Sequence, residues 1–509
     1  MLAKLNSAAT CGLDCTNIEV EVDLLRSMLP GFSIVGLGDM AVQEAKERVR
    51  SAIKNSDYSF PNKKITINLA PADIKKQGPS FDLPIALGIL LATEQIFPSK
   101  EIDKYLFVGE LSLDGRLRPV SGVLPITIFA KENGYSDIFL PVDNAEEASL
   151  IEGINIRPVR NIRQLTDHLG GKKEIQKLAN VDLNQLSSEV KYEEDMQYVK
   201  GQEHVKRALE IAASGGHNIL MSGPPGAGKT LLARAFRTVL PAMNKGEIME
   251  VSKIYSVAGL LTNKEPLVLQ RPFRCPHHTA SAVALVGGGT FPHPGEISLA
   301  HRGVLFLDEF AEFPGQVLEV LRQPLEDGVI TISRAQGSLS FPARFILVAA
   351  MNPCPCGFAT DPKKECRCTP SEIARYQKKI SGPLLDRIDL HVEVPRVEYD
   401  KLAQKSYGES SAQIRQRVET ARSVQAQRFT GKKIQCNGEM SNKDVEKFCP
   451  VDEKTNELLR RAVTTLNLSA RSYHRILKVS RTIADLDGCE QITSQIVAEA
   501  LQYRSRAGE

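Results

Sequence analysis

The chain has 509 residues, of which 42% are hydrophobic and 25% are charged, and its formal net charge is +3. One hydrophobic core rarely organises so many residues, so the length predicts about three domains. The composition is that of an ordinary soluble protein, and so small a charge does not by itself indicate nucleic-acid binding. The longest apolar run, Leu83 to Ala92, is about half of the ~20 residues that a membrane span needs, and the N-terminus lacks the apolar region of a signal peptide. We therefore expect a cytoplasmic protein with no membrane partner.

Residues 1–170 alternate strand-like and helix-like segments, which predicts a mixed α/β domain. The predicted strands are Asn17 to Val22, Lys64 to Leu69 and Ile138 to Pro141, and the predicted helices are Val42 to Ser56 and Ile85 to Glu94. Residues 171–194 are polar and charge-rich and show no strong period, so we interpret them as a linker.

A glycine-rich loop that fits the phosphate-binding pattern G-x-x-x-x-G-K-[ST] follows. It consists of Gly223, Pro224, Pro225, Gly226, Ala227, Gly228, Lys229 and Thr230. Glycines let backbone N–H groups close around phosphate oxygens, and the next helix directs its positive end at them. A predicted strand at 218–221 and a predicted helix from Leu231 to Leu240 supply the context that the motif requires. The loop predicts ATP binding, with Lys229 on the β and γ phosphates and Thr230 on Mg²⁺.

An apolar run at 303–307 ends in Asp308 and Glu309. A carboxylate at the end of a buried strand can hold the same Mg²⁺, a role that we assign to Asp308, and Glu309 could polarise the attacking water. Further strands are predicted at 343–350 and 388–394. These patterns predict a mostly parallel sheet wrapped by helices, and therefore an ATPase.

The C-terminal part of the chain, from Lys401 onward, turns helical. Its clearest signal is one apolar stripe formed by Ile476, Val479, Ile483 and Leu486. We interpret residues 195–396 as the ATPase core and residues 397–509 as a helical lid domain.

The segment between Lys229 and Asp308 is much longer than the about 30 residues of one strand-helix-strand step. It is rich in turn formers, which indicates an insertion. A second insertion, at 327–341, has two segments of alternating apolar and polar residues around a turn near Arg334 and Gly337. We predict a β-hairpin there.

Four cysteines, Cys354, Cys356, Cys366 and Cys368, form a C-x-C-x9-C-x-C pattern in a polar loop. Four thiolates in so short a loop can surround Zn²⁺ tetrahedrally, and the loop has no core of its own. The spacing is tighter than the usual C-x2-4-C, so reduced cysteines without metal, or a disulfide pair, remain alternatives to structural zinc.

Several segments resemble the magnesium-chelatase-like AAA+ proteins, and within that group the ComM/YifB family. They are Gly201-Gln-Glu, the run from Ala212 through Thr230, Arg274-Cys-Pro-His-His-Thr, Leu305-Phe-Leu-Asp-Glu-Phe and Met351-Asn-Pro-Cys-Pro-Cys-Gly. The resemblance covers nearly the whole chain. It implies a homo-hexameric ring ATPase that translocates on single- or double-stranded DNA without sequence preference. It also implies branch migration during natural transformation, with recombination proteins as further partners.

The same resemblance assigns three more residues to ATP hydrolysis. Asn352 matches sensor 1, Arg387 matches the arginine finger, and Arg471 matches sensor 2. Guanidinium groups suit these roles because charge spreads over the γ-phosphoryl group in the transition state. The alternative for Arg387 is a salt bridge with Asp386 or Asp389, and the alternative for Arg471 is a solvated or DNA-facing helical stripe.

A DNA partner would need basic groups on loops that face the pore. The candidates are Arg334 on the hairpin and Lys264, Arg271 and Arg274 on the earlier insertion. Each of these residues could equally be a solvated loop charge. His277 and His278 beside Cys275 are weak evidence for a second metal site, and we favour a loop-shaping or DNA-contact role.

The N-terminal domain resembles the proteolytic domain of Lon proteases around Gly78-Pro-Ser and Val108-Gly-Glu. Ser80 falls where that family keeps its nucleophile, but Leu124 stands where it keeps the activating lysine. Leucine cannot accept a proton, so we expect no peptidase activity. Two alternatives to a DNA motor remain open, namely a metal-chelatase motor subunit and an ATP-dependent Lon-like protease.

Overall fold

The computed structural model describes residues 2–25, 30–180, 193–262, 264–289, 293–334, 337–398, 408–432, 434–466 and 468–504. The chain divides into two compact units. The first comprises Met1–Ser188 with Lys245–Leu269, and the second comprises Glu189–Asn244 with Gln270–Glu509. Residues 245–269, which we predicted to belong to the ATPase core, therefore pack within the first unit. Half of the predicted linker, at 181–192, lies outside the described residues.

The first unit is mixed α/β, as predicted. Its strands are β1 (Leu2–Cys11), β2 (Asp14–Leu25), β3 (Gly31–Val35), β4 (Lys64–Ala70), β5 (Tyr105–Phe107), β6 (Glu110–Leu111), β7 (Leu117–Arg118), β8 (Asp137–Pro141) and β9 (Asn155–Val159). Its helices are α1 (Met40–Asn55), α2 (Asp82–Ala92), α3 (Val123–Glu132), α4 (Ala145–Ala148), α5 (Ile162–Leu169) and α8 (Lys245–Val257). Seven of the described strands form one sheet in the order β3-β4-β2-β1-β5-β8-β9.

Strand β2 shows why this sheet forms where it does. Its residues Ile18, Val20, Val22 and Leu24 alternate with more exposed ones and are all buried, as the two-residue period of a strand requires. It pairs antiparallel with β1 over the full length of that strand. Strand β1 was not predicted.

Helix α8 packs against α3 within the first unit. Gly122 N donates to Ser256 O at 2.9 Å, and Leu124 N donates to Ser256 Oγ at 3.3 Å. Leu267 is buried in the same apolar cluster as Leu124. Hydrogen bonds and apolar burial therefore both hold residues 245–269 to the first unit, although both ends of this segment continue into the second.

The second unit is built on a parallel sheet. Its strands are β10 (Ile219–Ser222), β11 (Phe273–Arg274), β12 (Gly287–Gly288), β13 (His293–Pro294), β14 (Val304–Leu307), β15 (Val329–Arg334), β16 (Gly337–Pro342), β17 (Ile346–Met351) and β18 (Leu390–Glu393). Its helices are α6 (Glu203–Gly215), α7 (Lys229–Val239), α9 (Ala282–Val286), α10 (Glu296–Leu299), α11 (Gly315–Glu319), α12 (Arg322–Asp327), α13 (Pro370–Gln377), α14 (Gly382–Leu385), α15 (Ser411–Arg428), α16 (Asn442–Phe448), α17 (Glu453–Thr465), α18 (Ala470–Leu486) and α19 (Ser494–Gln502).

The four strands predicted for this sheet are confirmed, with small differences in their ends. The sheet order is β11-β14-β17-β10-β18, and every neighbouring pair is parallel. The fifth strand, β11, was missed because it has two residues and lies in a turn-rich segment. The predicted hairpin is also confirmed, since β15 and β16 pair antiparallel from Val329 opposite Pro342 to Arg334 opposite Gly337.

The C-terminal region is helical, as predicted. Ile476, Val479 and Ile483 of α18 are buried in the core of the second unit, and Leu486 packs against it. The apolar stripe therefore faces inward. Within the described ranges, no helix combines the length and the apolar character that crossing a membrane requires.

A buried carboxylate, Asp389, joins β18 to β10 and to α18. Its Oδ2 accepts from Asn218 N at 2.9 Å, His217 Nδ1 lies 3.7 Å from the same oxygen, and Arg475 pairs with its Oδ1. Burial alone would raise the pKa of Asp389, but Arg475, His217 and the Asn218 amide lower it well below its usual range. The carboxyl group of Asp389 is therefore ionised in the folded protein.

Asp389→Ala is expected to lower the free energy of unfolding by about 3 kcal/mol, because it leaves the guanidinium of Arg475, whose side chain is 16% exposed, without its charge partner. Urea denaturation measures this loss. Because folding lowers the pKa of Asp389, its stabilisation is complete above its unfolded pKa of about 4 and disappears as the pH falls below that value. Asp386→Ala, at a half-buried neighbouring position, is the control and should cost about 1 kcal/mol or less. Equal losses for both variants would contradict the assignment.

Candidate nucleotide-binding site

The glycine-rich loop 223–230 connects β10 to α7 at the carboxyl edge of the parallel sheet. Gly226 and Gly228 have φ of 78° and 90°, a region that favours glycine, and a Cβ on either would meet nothing within 4 Å. A Cβ on Gly223 would lie 2.1 Å from Val394 O, so only glycine fits there. The loop is therefore an open cradle with its backbone exposed to an incoming phosphate, in front of the N-terminus of α7.

Lys229 lies at the start of α7 and is buried. Its Nζ donates to Gly223 O at 2.6 Å, to Pro224 O at 3.0 Å and to Asn352 Oδ1 at 3.1 Å. Burial lowers the pKa of Lys229. The amine is held inside the loop, within reach of phosphate oxygens bound there, and the contact with Asn352 joins β17 to this site.

The two side chains predicted to hold Mg²⁺ are in direct contact. Thr230 Oγ1 donates to Asp308 Oδ2 at 2.8 Å, and Glu309 N donates to Asp308 Oδ1 at 2.9 Å. A hydroxyl and a carboxylate are hard oxygen ligands of the kind that Mg²⁺ prefers. The donor set therefore fits Mg²⁺ beside a nucleotide held by the loop.

Glu309 has a φ of 52°, which is rare for a residue with a side chain. Backbone strain of this kind concentrates at functional sites. Its Oε2 lies 3.0 Å from His278 Nδ1, and the rings of His277 and His278 are 4.1 Å apart. His278 is thus a partner of the predicted water-activating carboxylate. Sequence reasoning gave it only a loop-shaping or DNA-contact role, and the signal that could have found it is the polar Cys-Pro-His-His segment directly after β11.

Arg387 and Arg471 do not join this edge of the sheet. In the parallel pair β10 and β18, Ile219 lies beside Leu390 and Ser222 beside Glu393. The loop follows Ser222, whereas Arg387 precedes Leu390, so the two lie at opposite edges separated by about 13 Å of strand. An arginine side chain does not span that distance.

Both arginines instead contact one carboxylate. Arg387 Nη2 pairs with Glu326 Oε2, and Arg471 Nη2 lies 2.8 Å from Glu326 Oε1. The alternative partners of Arg387, Asp386 and Asp389, are not its partners among the described contacts, and Asp389 pairs with Arg475. The hydrolytic roles of Arg387 and Arg471 stay predictions.

The four cysteines Cys354, Cys356, Cys366 and Cys368 come together. One sulfur atom from each lies within 4.8 Å of the others, and all four are free thiols. Cys354 Sγ is 3.3 Å from Cys356 Sγ and 3.7 Å from Cys366 Sγ. Four Zn–S bonds of about 2.3 Å place sulfurs about 3.8 Å apart, so these separations fit zinc better than a disulfide. Backbone N–H groups, that of Phe358 foremost, lower the pKa of Cys356 to about 6. For Cys366 and Cys368, a backbone hydrogen bond is outweighed by burial and the neighbouring thiols, which raise the pKa.

The cysteine loop lies against the phosphate-binding loop. A Cβ on Gly357 would be 2.7 Å from Pro225 Cδ and 3.7 Å from Asn352 Cγ. The conformation of the cysteine loop therefore affects the positions of Pro225 and Asn352.

The four basic DNA-contact candidates have different surroundings. Arg271 donates to Pro241 O at 2.7 Å and to Arg302 O at 2.6 Å. Arg274 forms a two-point ion pair with Glu296. Lys264 is exposed and belongs to the first unit. The side chain of Arg334 lies outside the described part of the structure.

The residues of the Lon-like pattern do not form a catalytic dyad. Ser80 is half-buried, and Leu124 is fully buried with its amide on Ser256 Oγ. The position that would carry an activating lysine is thus occupied by an apolar side chain next to α8. This agrees with the expectation of no peptidase activity, which stays a prediction.

Comparison with known proteins covers the chain from end to end. The family described as magnesium chelatase, subunit ChlI matches residues 195–402, its C-terminal family matches residues 408–504, and the family described as subunit ChlI of Mg-chelatase matches residues 20–144. Competence protein ComM of Haemophilus influenzae is 45% identical over 99% of this chain and 97% of its own length. The uncharacterized protein YifB of Escherichia coli is 43% identical over 99% of this chain and 97% of its own length. A Lon protease of Mycoplasmopsis agalactiae is 26% identical over 34% of this chain and 18% of its own length.

Proposed function

Because the chain belongs to the ComM/YifB family of magnesium-chelatase-like AAA+ proteins, we propose that it is an ATP-driven DNA motor. In this proposal it forms a hexameric ring in the cytoplasm and promotes branch migration of recombination intermediates while transforming DNA is integrated. The Haemophilus relative is named a competence protein, which supports a role in the uptake or integration of DNA.

One observation carries the proposal. Lys229, Thr230, Asp308, Glu309 and Asn352 meet at the carboxyl edge of the sheet, while Arg387 and Arg471 lie at its amino edge. A complete hydrolytic site therefore needs the amino edge of a second copy against the carboxyl edge of the first. Head-to-tail contacts of this kind give a ring when the rotation between neighbouring copies closes, as this proposal requires.

Within that site each group has a defined task. Lys229 and the loop amides bind the phosphates, and Thr230 and Asp308 hold Mg²⁺. Glu309 accepts the proton of the attacking water after its carboxylate has separated from His278. Asn352 orients the amine of Lys229. The Arg387 of an adjoining copy balances charge on the γ-phosphoryl group. Hydrolysis is thereby tied to assembly.

DNA contact rests on loops of the two units. Arg334 is the last residue of strand β15 and pairs with Gly337 of β16. Lys264 is exposed and belongs to residues 245–269, which are part of the first unit. Basic groups on such loops attract phosphates without reading bases. Arg271 donates to a backbone carbonyl oxygen and Arg274 pairs with Glu296. We therefore assign these two residues a smaller contribution to DNA binding.

The test is migration of a four-way DNA junction, together with DNA stimulation of ATP hydrolysis. Wild-type protein is expected to move the junction, and Lys229→Ala is expected to abolish both activities because the phosphates lose their cation. Arg334→Ala should keep basal hydrolysis and lose DNA stimulation and strand displacement. Normal junction migration by Arg334→Ala would refute that contact, and failure of the wild type with every DNA substrate would refute the motor.

The same assays separate the two alternatives. A chelatase motor subunit would depend on a tetrapyrrole and partner subunits, and a Lon-like protease would cleave casein in a manner abolished by Ser80→Ala. The Lon-like first unit argues against the chelatase, and Leu124 argues against the protease.

A further inference from the structure

Glu326 binds the two candidate arginines at once. It lies near the end of α12, just before the hairpin, and each of its two carboxylate oxygens takes one guanidinium: Oε1 from Arg471 and Oε2 from Arg387. The side chain of Arg387 is 10% exposed, whereas those of Glu326 and Arg471 are 47% and 45% exposed. A solvent-accessible carboxylate therefore pairs with both cations.

The rest of the cluster is fixed. Arg387 Nη1 donates to Pro383 O at 2.6 Å, and Arg475 bonds to Arg387 O at 2.8 Å and pairs with Asp389. These contacts hold the backbone and one side of the Arg387 guanidinium in place. Among the described contacts of this cluster, only those with Glu326 involve an anion that solvent can reach, so they are the ones that another anion can replace without disturbing the fold.

A carboxylate between two guanidinium groups presents the same pattern of charge and hydrogen-bond acceptors as part of a phosphoryl group. A γ-phosphate offers three acceptor oxygens and more negative charge than one carboxylate, so it competes well for the same donors. We infer that Glu326 is an internal anion that holds Arg387 and Arg471 together until the γ-phosphate of ATP bound to an adjoining copy replaces it.

This inference rests on the proposed function, and it adds a residue that the motifs of the sequence do not contain. Glu326 pairs with Arg387 and Arg471 before assembly and takes no part once the phosphate has replaced it. Glu326 also makes assembly of the shared site less favourable, because two ion pairs must break before the arginines of one copy can reach the phosphate bound to the next.

The experiment measures steady-state ATP hydrolysis against protein concentration. Glu326→Gln keeps the shape of the side chain and removes its charge. We expect it to reach half-maximal specific activity at about two- to tenfold lower protein concentration, as expected for the loss of two partly exposed ion pairs. Its kcat at saturating protein concentration should match that of the wild type.

Two further variants make the result specific. Glu326→Asp keeps the carboxylate and should behave more like the wild type than Glu326→Gln does. Glu457→Gln removes an exposed carboxylate that pairs with Arg461 elsewhere in the same unit and should change nothing. Circular dichroism of each variant verifies that it is folded.

The outcomes separate the inference from its premise. An unchanged concentration dependence for Glu326→Gln, or a loss of its kcat at saturation, would overturn the role of Glu326 and leave the shared site standing. If the wild type reaches its full specific activity at concentrations where it is monomeric by analytical ultracentrifugation, the shared site is wrong and the inference falls with it.

Discussion

Two inactive variants, Lys229→Ala and Arg387→Ala, are expected to recover ATP hydrolysis when they are mixed. Alone, Lys229→Ala fails because its loop lacks the cation that holds the phosphates. Arg387→Ala alone should lose about 10³-fold in kcat, in the range seen when such an arginine is removed from phosphoryl-transfer sites.

The recovery follows from the positions of the two residues. Lys229 lies at the carboxyl edge of the sheet and Arg387 at its amino edge, so each variant keeps the half that the other lacks. In a closed ring assembled at random from equal amounts, about a quarter of the contacts would pair an intact loop with an intact arginine. The mixture should therefore reach up to about a quarter of the wild-type rate, by a steady-state phosphate-release assay.

The control mixes Lys229→Ala with a chain that carries both substitutions, and this mixture should stay inactive. Fluorescence energy transfer between labelled copies establishes that the variants assemble together. Mixed rings without recovered hydrolysis would mean that Arg387 does not complete a neighbouring site, and the proposed motor would need another trans-acting group.

The residues of the nucleotide site that sequence identified lie where short local patterns are strong. The loop 223–230 needs glycine at several positions and a lysine at one, and the strand ending at Asp308 is a continuous apolar run. Such constraints act within a few residues, so they are visible without a fold. The strands β10, β14, β17 and β18 were accessible for the same reason.

What sequence missed depends on contacts between distant residues. The strand β11 is two residues long and forms only because Phe273 and Arg274 can pair with Val304 and Leu305. The packing of residues 245–269 in the first unit rests on Ser256 and on an apolar cluster more than a hundred positions away in the chain. Neither feature has a local signature.

The role of Glu326 was hidden for a different reason. An exposed glutamate between Leu325 and Asp327 has no motif and no periodicity that distinguish it from a solvated surface charge. The role of Glu326 follows from its contacts with Arg387 and Arg471, which are 84 positions apart in sequence and both pair with its carboxylate. Charge pairs of this kind are set by the whole fold.

Cys366→Ser combined with Cys368→Ser is expected to reduce bound zinc from about one per chain to nearly none, because a tetrahedral site cannot keep zinc on two remaining thiolates. Inductively coupled plasma mass spectrometry on protein purified without added zinc measures this. Cys489→Ser removes an exposed cysteine outside the cluster and should leave the zinc content unchanged. A wild-type content far below one per chain would end the zinc hypothesis.

The same double variant should also lose ATP hydrolysis, by about tenfold or more, since small displacements of catalytic groups are costly. The reason is the packing of Gly357 against Pro225 and Asn352: the cysteine loop braces the phosphate-binding loop and the residue that contacts Lys229. Without metal, this polar loop has no core to keep it ordered. A variant that lacks zinc but retains the wild-type kcat would show that the cysteine loop supports the phosphate-binding loop without the metal. Loss of both together would make the cysteine loop part of the hydrolytic site.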